Sequence, residues 1–426
     1  MAESTLRKIG EDVSFAGAGV YLLKVTINDI EFFPQTIQAL VIKEWVFDTL
    51  PRLDIIMTDN GRFWELFPLR DNDTISVEIS KNKERTSPIV LDFSLLDYTL
   101  ENIDVQKIHN VAIRMSAILK TNEMLYPIKV RSFPKKKSHE VLKQIAEETG
   151  LKPNIKVTNT VDNMTWLQIH KTNYDMIQHV LQRAYAGEDD TLFAYADRTG
   201  TFTVTSLKKE TAKTNNTWEA KWKPDKQVID NPEADQGQNK KENESDTDDN
   251  KTVYFSNFNY FNFAGTTNKQ MTYAAEYTLY DLEKLVEETI DSNVHPFTDY
   301  SGKDKAGRGK LVRHITGTFK YNGSNTHDDY TKAIVLNKYL KEDFFASGLE
   351  LYVNPTDRVK LMDIIKITIP SVINNDDINE VHSGKWLVGG ITHALSKGGA
   401  YKMILVLFRN GINSSTELKS SEMRLA

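Results

Sequence analysis

Gly384 to Gly411 reads GKWLVGGITHALSKGGAYKMILVLFRNG, and this stretch constrains the fold more than any other part of the sequence. Lys385 to Leu395 alternates loosely between apolar and polar residues. Lys397-Gly398-Gly399 supplies turn chemistry, and Tyr401 to Phe408 is dominated by apolar and β-branched side chains. Two such runs joined by a glycine-rich turn predict a long β-hairpin. A partly apolar hairpin with no nucleophile or carboxylate at its turn builds a wall rather than an active site. Its one ionisable candidate for chemistry, His393, is expected to be a structural residue flanking the turn.

The rest of the chain has a similar strand-rich rhythm at both ends. Val20 to Ile27, Ala39 to Phe47, Arg52 to Met57, Thr74 to Ile79 and Ile89 to Leu96 carry β-branched or aromatic residues and are separated by Asn/Asp/Gly turn chemistry. A small antiparallel barrel or sandwich over residues 1–105 follows. The period then changes to that of helices, which marks 106–210 as an inserted α+β domain. Ser138 is placed to cap a helix with Val141, Leu142, Ile145 and Ala146 on one face, ending at Gly150. Thr172 and Asp175 form a capping box for a second helix, ended by Gly187, and strands at Leu192 to Ala196 and Thr201 to Leu207 flank a turn at Asp197 to Gly200.

Residues 211–251 read as a polar linker. Asp225 to Lys251 alone holds nine acidic and four basic side chains, which accounts for five of the six net negative charges, with too few apolar residues to offset ordering. A second strand-rich domain spans 252–411. It opens on the aromatic run Val253 to Phe263 and contains a helical and loop insertion at about 280–345, with helices expected at Tyr280 to Ile290 and Asp328 to Phe345 and a loop at Ser301 to Arg313. Strands return at Leu349 to Val353 and Ile364 to Ile369, before the closing hairpin and a tail at 412–426.

Composition removes several function classes. The chain of 426 residues has no cysteine, so disulfides, thiolate metal sites, iron–sulfur clusters and cysteine nucleophiles are excluded. Outside the acidic segment the charge is near neutral, which argues against a general nucleic-acid binder or an electrostatically held membrane-surface protein. The opening MAESTLRKIGEDVSFAGAGV lacks a signal-peptide core, and no segment approaches a membrane-spanning length, so the expectation is a soluble protein retained in a cytoplasm or released by lysis.

No constellation carries specific chemistry. Glu147-Glu148 and Glu287-Glu288 are sequence neighbours on expected helices and point to different faces. Asp189-Asp190 and Asp328-Asp329 sit beside helix ends, and His170 and His179 are too loosely spaced for a zinc motif. Nucleophile-elbow, P-loop and dinucleotide-binding patterns are absent. Phe255, Phe258, Tyr260, Phe261 and Phe263 are read as core or interface rather than a stacking platform. Lys135, Lys136 and Lys137, with Arg308, Lys310 and Arg313 in the Gly- and Lys-rich loop, are candidates for contacting a partner, a solvated surface being the alternative. No cofactor and no metal is expected.

The arrangement resembles the central baseplate hub proteins of contractile-tailed bacteriophages, a family related to the phage late control protein D and to the hub portion of the type VI secretion spike. Three stretches carry the likeness: FWELFPLRDNDTISVEISKN from Phe63, SHEVLKQIAEETG with Trp166 and NYDMIQHVLQRAYAGEDDTLFAYADRTGTFTV, and HSGKWLVGGITHALSKGGAYKMILVLFRNG from His382. The resemblance implies two tail-tube-like β-barrels with an inserted α+β domain. It also implies a homotrimer forming a pseudo-sixfold ring that adapts a sixfold tail tube to a threefold central spike around a channel. Implied partners are further copies of the chain, the spike or puncturing protein, the tail tube or a tube initiator, the tape-measure protein and inner baseplate wedge proteins. Neither a specific nucleic-acid sequence nor a membrane anchor is implied. The location would be the virion tail baseplate, assembled in the host cytoplasm, and the role non-enzymatic. The alternatives are a tail-associated cell-wall or glycan hydrolase and a receptor-binding adhesin.

Overall fold

Alternation of apolar and polar residues builds the first half of the chain. In this computed structural model the residues described are 21–59, 63–80, 89–101, 111–187, 190–213, 217–222, 251–262, 275–281, 286–291, 311–315, 326–345, 347–353, 356, 358–371, 378–379, 382–396 and 401–409. Strands β1 (Tyr21–Ile27), β2 (Ile30–Phe32), β3 (Ile37–Trp45), β4 (Arg52–Asp59), β5 (Thr74–Ser80), β6 (Ile89–Glu101) and β7 (Val111–Leu119) pair antiparallel in the order β3-β4-β7-β6-β5-β1-β2. Every second residue turns inward: Leu40 and Ile42, Leu53, Ile55 and Met57, Ile75 and Val77, Leu91, Phe93 and Leu95, Ile113, Met115 and Ala117 are all buried. The short helix α1 (Phe63–Leu66) adds Phe63 to this core. Val111–Leu119, assigned from the sequence to the inserted domain, lies between β4 and β6 and belongs to the first sheet.

The inserted domain contains β8 (Lys129–Lys136), α2 (Ser138–Glu148), β9 (Lys152–Ile155), β10 (Met164–Lys171), α3 (Asn173–Arg183), β11 (Leu192–Ala196), β12 (Thr201–Ser206) and α4 (Leu207–Thr211). β8 and β10 form an antiparallel ribbon, and β9-β12-β11 a second small sheet. Helix α2 buries the four apolar residues expected of it, each worth about 1.5–3 kcal/mol for the large aliphatic ones. Its cap differs from the expectation by one residue. Lys137 is the N-cap, with its N–H donated to the Glu140 carboxylate at 2.8 Å, while the Ser138 N–H is taken by the buried Asp162 at 3.0 Å. The α3 box is as read: the Asp175 N–H donates to Thr172 Oγ1 at 3.0 Å. That helix ends at Arg183, short of Gly187, with Ala184 as its C-cap.

The second half holds β13 (Thr217–Trp222), β14 (Thr252–Asn262), β15 (Ala275–Asp281), β16 (Val286–Asp291), β17 (Leu311–Ile315), α5 (Tyr330–Phe344), β18 (Ser347–Val353), β19 (Ile364–Thr368), β20 (Gly384–Ser396) and β21 (Tyr401–Arg409). Six of these strands close a barrel in the order β19-β13-β14-β18-β21-β20, with β20 returning to β19. The fold is thus α+β and mainly β. Two expectations are corrected here. Thr217–Trp222, read as linker, is a barrel strand flanked by parallel neighbours β14 and β19. Tyr280–Ile290, read as helix, is the end of β15 and most of β16, joined antiparallel with Tyr277 opposite Ile290. The β-branched and aromatic residues there favour a pleat, and the partner strand β15 begins upstream of the apparent helical window. Leu311–Ile315, partly within the expected loop, pairs parallel with β15. Residues 225–250 of the acidic segment lie outside the described residues, as do 301–310.

The two halves are one continuous sheet because β20 changes partner along its length. Gly384 to Leu387 pairs with β19 and closes the second barrel, whereas Gly390 to Ser396 pairs with Trp45 to Ala39 of β3. β21 pairs with β20 on its other side from Leu387 to Leu395. The switch falls at a bulge between Val388 and Gly390, where the chain must pass close to two aromatic rings. A Cβ on Gly389 would sit 2.4 Å from Phe408, and one on Gly390 would sit 2.3 Å from Trp45. The Trp45 ring is held against Phe408 at 5.5 Å and Phe47 at 6.0 Å, so it has little room to yield. Gly390→Ala is therefore expected to cost about 1–3 kcal/mol, read as a lowered urea midpoint, whereas Gly187→Ala meets no neighbouring atom and is limited to its backbone strain.

Candidate functional site

Register brings a carboxylate into a row of core residues. On β3, Glu44 is in phase with Leu40 and Ile42 and is 4% exposed. The next strand, β20, places the buried His393 opposite Ile42. The third member comes from the inserted domain, where the Asp197–Gly200 turn is tied by the Asp197 carboxylate, which accepts the Thr199 and Thr201 N–H groups at 2.9 and 3.0 Å. Gly200 takes a positive φ of 79°, and the turn presents Arg198 to the junction.

Glu44 Oε1 accepts the Arg198 backbone N–H at 2.6 Å, and Oε2 lies 3.5 Å from the Arg198 guanidinium and 3.9 Å from His393 Nε2. The guanidinium also bonds His393 Nε2. A guanidinium can only donate, so Nε2 offers its lone pair and the imidazole is neutral. Burial pushes the His393 pKa down and the Arg198 charge adds to this, against the opposing pull of Glu44. Burial pushes the Glu44 carboxyl up, but the neighbouring His393, the Arg198 charge and the Arg198 backbone N–H outweigh it, and the group stays below its ordinary value. The cluster therefore ties three segments, one from each part of the molecule, through a single ionised carboxylate. Its chemistry is positional.

Other polar contacts clasp the inserted domain between the two halves. The Ala196 N–H donates to Thr49 O at 2.8 Å and Gln178 Nε2 to Thr49 Oγ1 at 3.0 Å, on the first-half side. Toward the second half, Tyr195 OH donates to Leu361 O at 3.1 Å, and Asn337 on α5 donates to Ala184 O at 2.7 Å while accepting from Thr191 Oγ1 at 2.9 Å. Lys341 on the same helix lies over the Phe193 ring at 5.2 Å, and burial lowers its pKa to about 8.

The sequence-derived candidates are dispersed. Lys135, exposed and at φ 50°, Lys136 and Lys137 sit at one end of the β8–β10 ribbon, where Lys136 Nζ bonds Gln144 and Lys137 caps α2. Arg313 occupies a register position on β17 opposite Tyr277, while Arg308 and Lys310 lie outside the described residues. Glu147 pairs with Lys143 at 3.7 Å and Glu148 with Arg131 at 2.6 Å, so both are surface ion-pair partners. Glu287 and Glu288 are strand residues, opposite Tyr280 and Leu279. Asp190 accepts the Lys208 N–H at 2.9 Å, a capping contact at the start of α4. His179 accepts from Lys171 Nζ at 2.6 Å. Burial, then the charges of Arg183 and Lys171, lower its pKa to about 4. Phe255 is fully buried and Phe261 packs on Phe408 at 6.1 Å, consistent with a core role for the aromatic run; Phe263 lies outside the described residues. Among the described residues no three His, Asp or Glu side chains are grouped to hold a metal, and no helix is long and apolar enough to cross a membrane. Glu44 and Arg198 were not singled out from the sequence. The available signal was the phase of Glu44 with Leu40 and Ile42, since a carboxylate in a core row requires a partner.

The fold, with a closed barrel, a seven-stranded antiparallel sheet joined to its side and an α+β insertion, is similar to that of solved phage tail proteins. The 43 kDa tail protein of prophage MuSo2 from Shewanella oneidensis is similar over 92% of this chain and 97% of its own, with a TM-score of 0.53 and 9% identity. The tail protein from Neisseria meningitidis MC58 is similar over 92% and 98%, with a TM-score of 0.53 and 10% identity. No protein-family model matches the chain, and no curated protein is significantly similar in sequence. The likeness is one of fold.

Glu44→Ala is expected to destabilise the protein by about 3–5 kcal/mol, because it strands a largely buried guanidinium. Adding Arg198→Met should recover part of that loss in a double-mutant cycle followed by denaturant unfolding. Acid should also weaken the fold. The unfolded imidazoles of His393 and His179 take up protons near pH 6.5, and the folded ones only at lower pH. Stability carried by their neutral forms is complete above about 6.5 and is lost as the pH falls toward 4. Thermal midpoints measured between pH 7 and 4 should fall, and His179→Gln should flatten the curve.

Proposed function

We propose that the chain is the structural hub of a phage tail baseplate, a homotrimer in which each copy contributes two barrels to a pseudo-sixfold ring. The observation that carries this reading is the side-to-side pairing of β20 with β3, which makes the closed barrel and the seven-stranded antiparallel sheet of one chain neighbours in a single sheet. Repeated by a threefold axis, such a unit gives six barrels around a channel. A ring of that kind matches a sixfold tail tube on one side and a threefold spike on the other. Support also comes from the fold shared with solved phage tail proteins. The engagement of Glu147 and Glu148 in ion pairs favours a non-enzymatic role over a hydrolase. The proposed partners are the spike or puncturing protein, the tail tube or a tube initiator, the tape-measure protein and inner wedge proteins, within a virion assembled in the host cytoplasm.

Light scattering of the purified full chain should give a trimeric mass, and electron micrographs should show a ring with a central channel. In tail preparations, labelled chain should lie on the tail axis next to the spike. A chain that stays monomeric at its highest soluble concentration, or one found at the tail periphery, would overturn the proposal.

A further inference from the structure

The β8–β10 ribbon exposes an apolar stripe that none of the described residues covers. Val130 is directly opposite Ile169 in the register, and Leu167 is opposite Ser132. Val130, Leu167 and Ile169 are all exposed, Val130 at 69%, with the exposed Ile128 preceding them. The other face of the same ribbon is occupied: Phe133 and Trp166 are buried and Gln168 is bonded to Arg131. A two-stranded ribbon with both faces apolar is an interaction surface rather than a solvated edge. The two strands carry Lys129, Arg131, Lys135, Lys136 and Lys171 and no acidic residue, and Lys135 is exposed.

A second apolar patch lies at the far end of the first sheet and carries the opposite charge. There Phe32 packs edge-on to Phe63 at 4.7 Å, and Phe63 stacks on Phe67 at 5.8 Å, which ties α1 to the terminal strand β2. Phe33, Leu66 and Phe67 remain exposed, Leu66 at 66%. Asp29, Glu31 and Glu65, all exposed, lie within four residues of them in sequence, with Arg70 the cation that follows α1. Within the described residues β2 is paired only to β1, so the patch borders an open sheet edge.

We propose that the β8–β10 ribbon of one copy docks on the β2–α1 patch of the next. The two surfaces match in character, apolar centre against apolar centre, and are complementary in charge, basic against acidic. Both are exposed in the same copy, so the contact is between copies. It is head-to-tail, using different surfaces on the two partners, and such contacts close into rings when the rotation permits. This inference rests on the ring-forming hub proposed above and assigns its subunit contact.

The cysteine-free chain allows a direct test. In the full chain carrying Leu66→Cys and Ile169→Cys together, a short bis-maleimide should link copies into covalent dimers and trimers. Each single substitution alone should give no cross-link, and a mixture of the two singles should give dimers only. Leu167→Asp with Ile169→Asp, at exposed positions that leave the core intact, should weaken self-association at least about tenfold. A chain that forms trimers, but whose double-cysteine variant does not cross-link and whose association does not respond to the Asp substitutions, overturns the docking and leaves the hub proposal standing, with the ribbon then assigned to a different protein. Cross-linking by Ile169→Cys alone would mean a two-fold contact and also overturns it. A wild-type chain that never associates overturns both.

Discussion

The structure depends on one strand having two partners on the same side. β20 spends its first residues closing the second barrel against β19 and its last ones pairing with β3. Neither set of hydrogen bonds can be given up without exposing an edge, since β19 would open the barrel and β3 would become the terminal strand of the first sheet. The Gly389–Gly390 pair makes the change of partner possible by letting Phe408 and Trp45 approach the backbone more closely than any side chain would allow. Backbone pairing and aromatic packing meet at this point, where Trp45, Phe47, Phe345 and Phe408 form a continuous set of edge-to-face contacts.

The Glu44–Arg198–His393 cluster is the polar complement of that joint. Burial of a carboxylate and a guanidinium costs several kcal/mol per ion before their attraction is counted, so the cluster is a weak source of net stability. What it supplies is geometry. Each partner belongs to a different part of the molecule, and a guanidinium that must meet both a carboxylate and an imidazole lone pair tolerates little displacement of any of the three. Apolar packing between the inserted domain and the barrels would hold them together with less directional control. The hydrogen bonds of Thr49, Tyr195 and Asn337 act in the same sense from the two flanks.

Legibility in the sequence follows the range of the interactions involved. Helices α2 and α3 are readable because caps, apolar spacing and Gly150 lie within a dozen residues of one another, and the β20–β21 hairpin is readable because its turn and both strands are contiguous. Strand β7 was assigned to the wrong domain because its partners β4 and β6 are set by pairing, which composition does not encode. The β15–β16 hairpin failed for a related reason: Glu287 and Glu288 between apolar residues satisfy a helical period over a short window, and only the upstream strand resolves the ambiguity. Lys135, Lys136 and Lys137 were legible as a basic run, but the apolar stripe beside them was not. Val130 and Ile169 become neighbours only through the ribbon register. His393 is buried against Arg198, while Glu44 and Arg198 lie in distant segments and are legible only through the burial phase of β3.

The separation of β3 and β20 along the chain has a consequence for biosynthesis. Closing so long a loop is slow, and the edge of β3 waits unpaired while the intervening segments are made. A nascent or truncated polypeptide that stops before β20 lacks both the seal of its second barrel and the cover of its first sheet. The hairpin therefore separates a finished chain, in which both edges are paired, from an unfinished one, which presents an open strand edge.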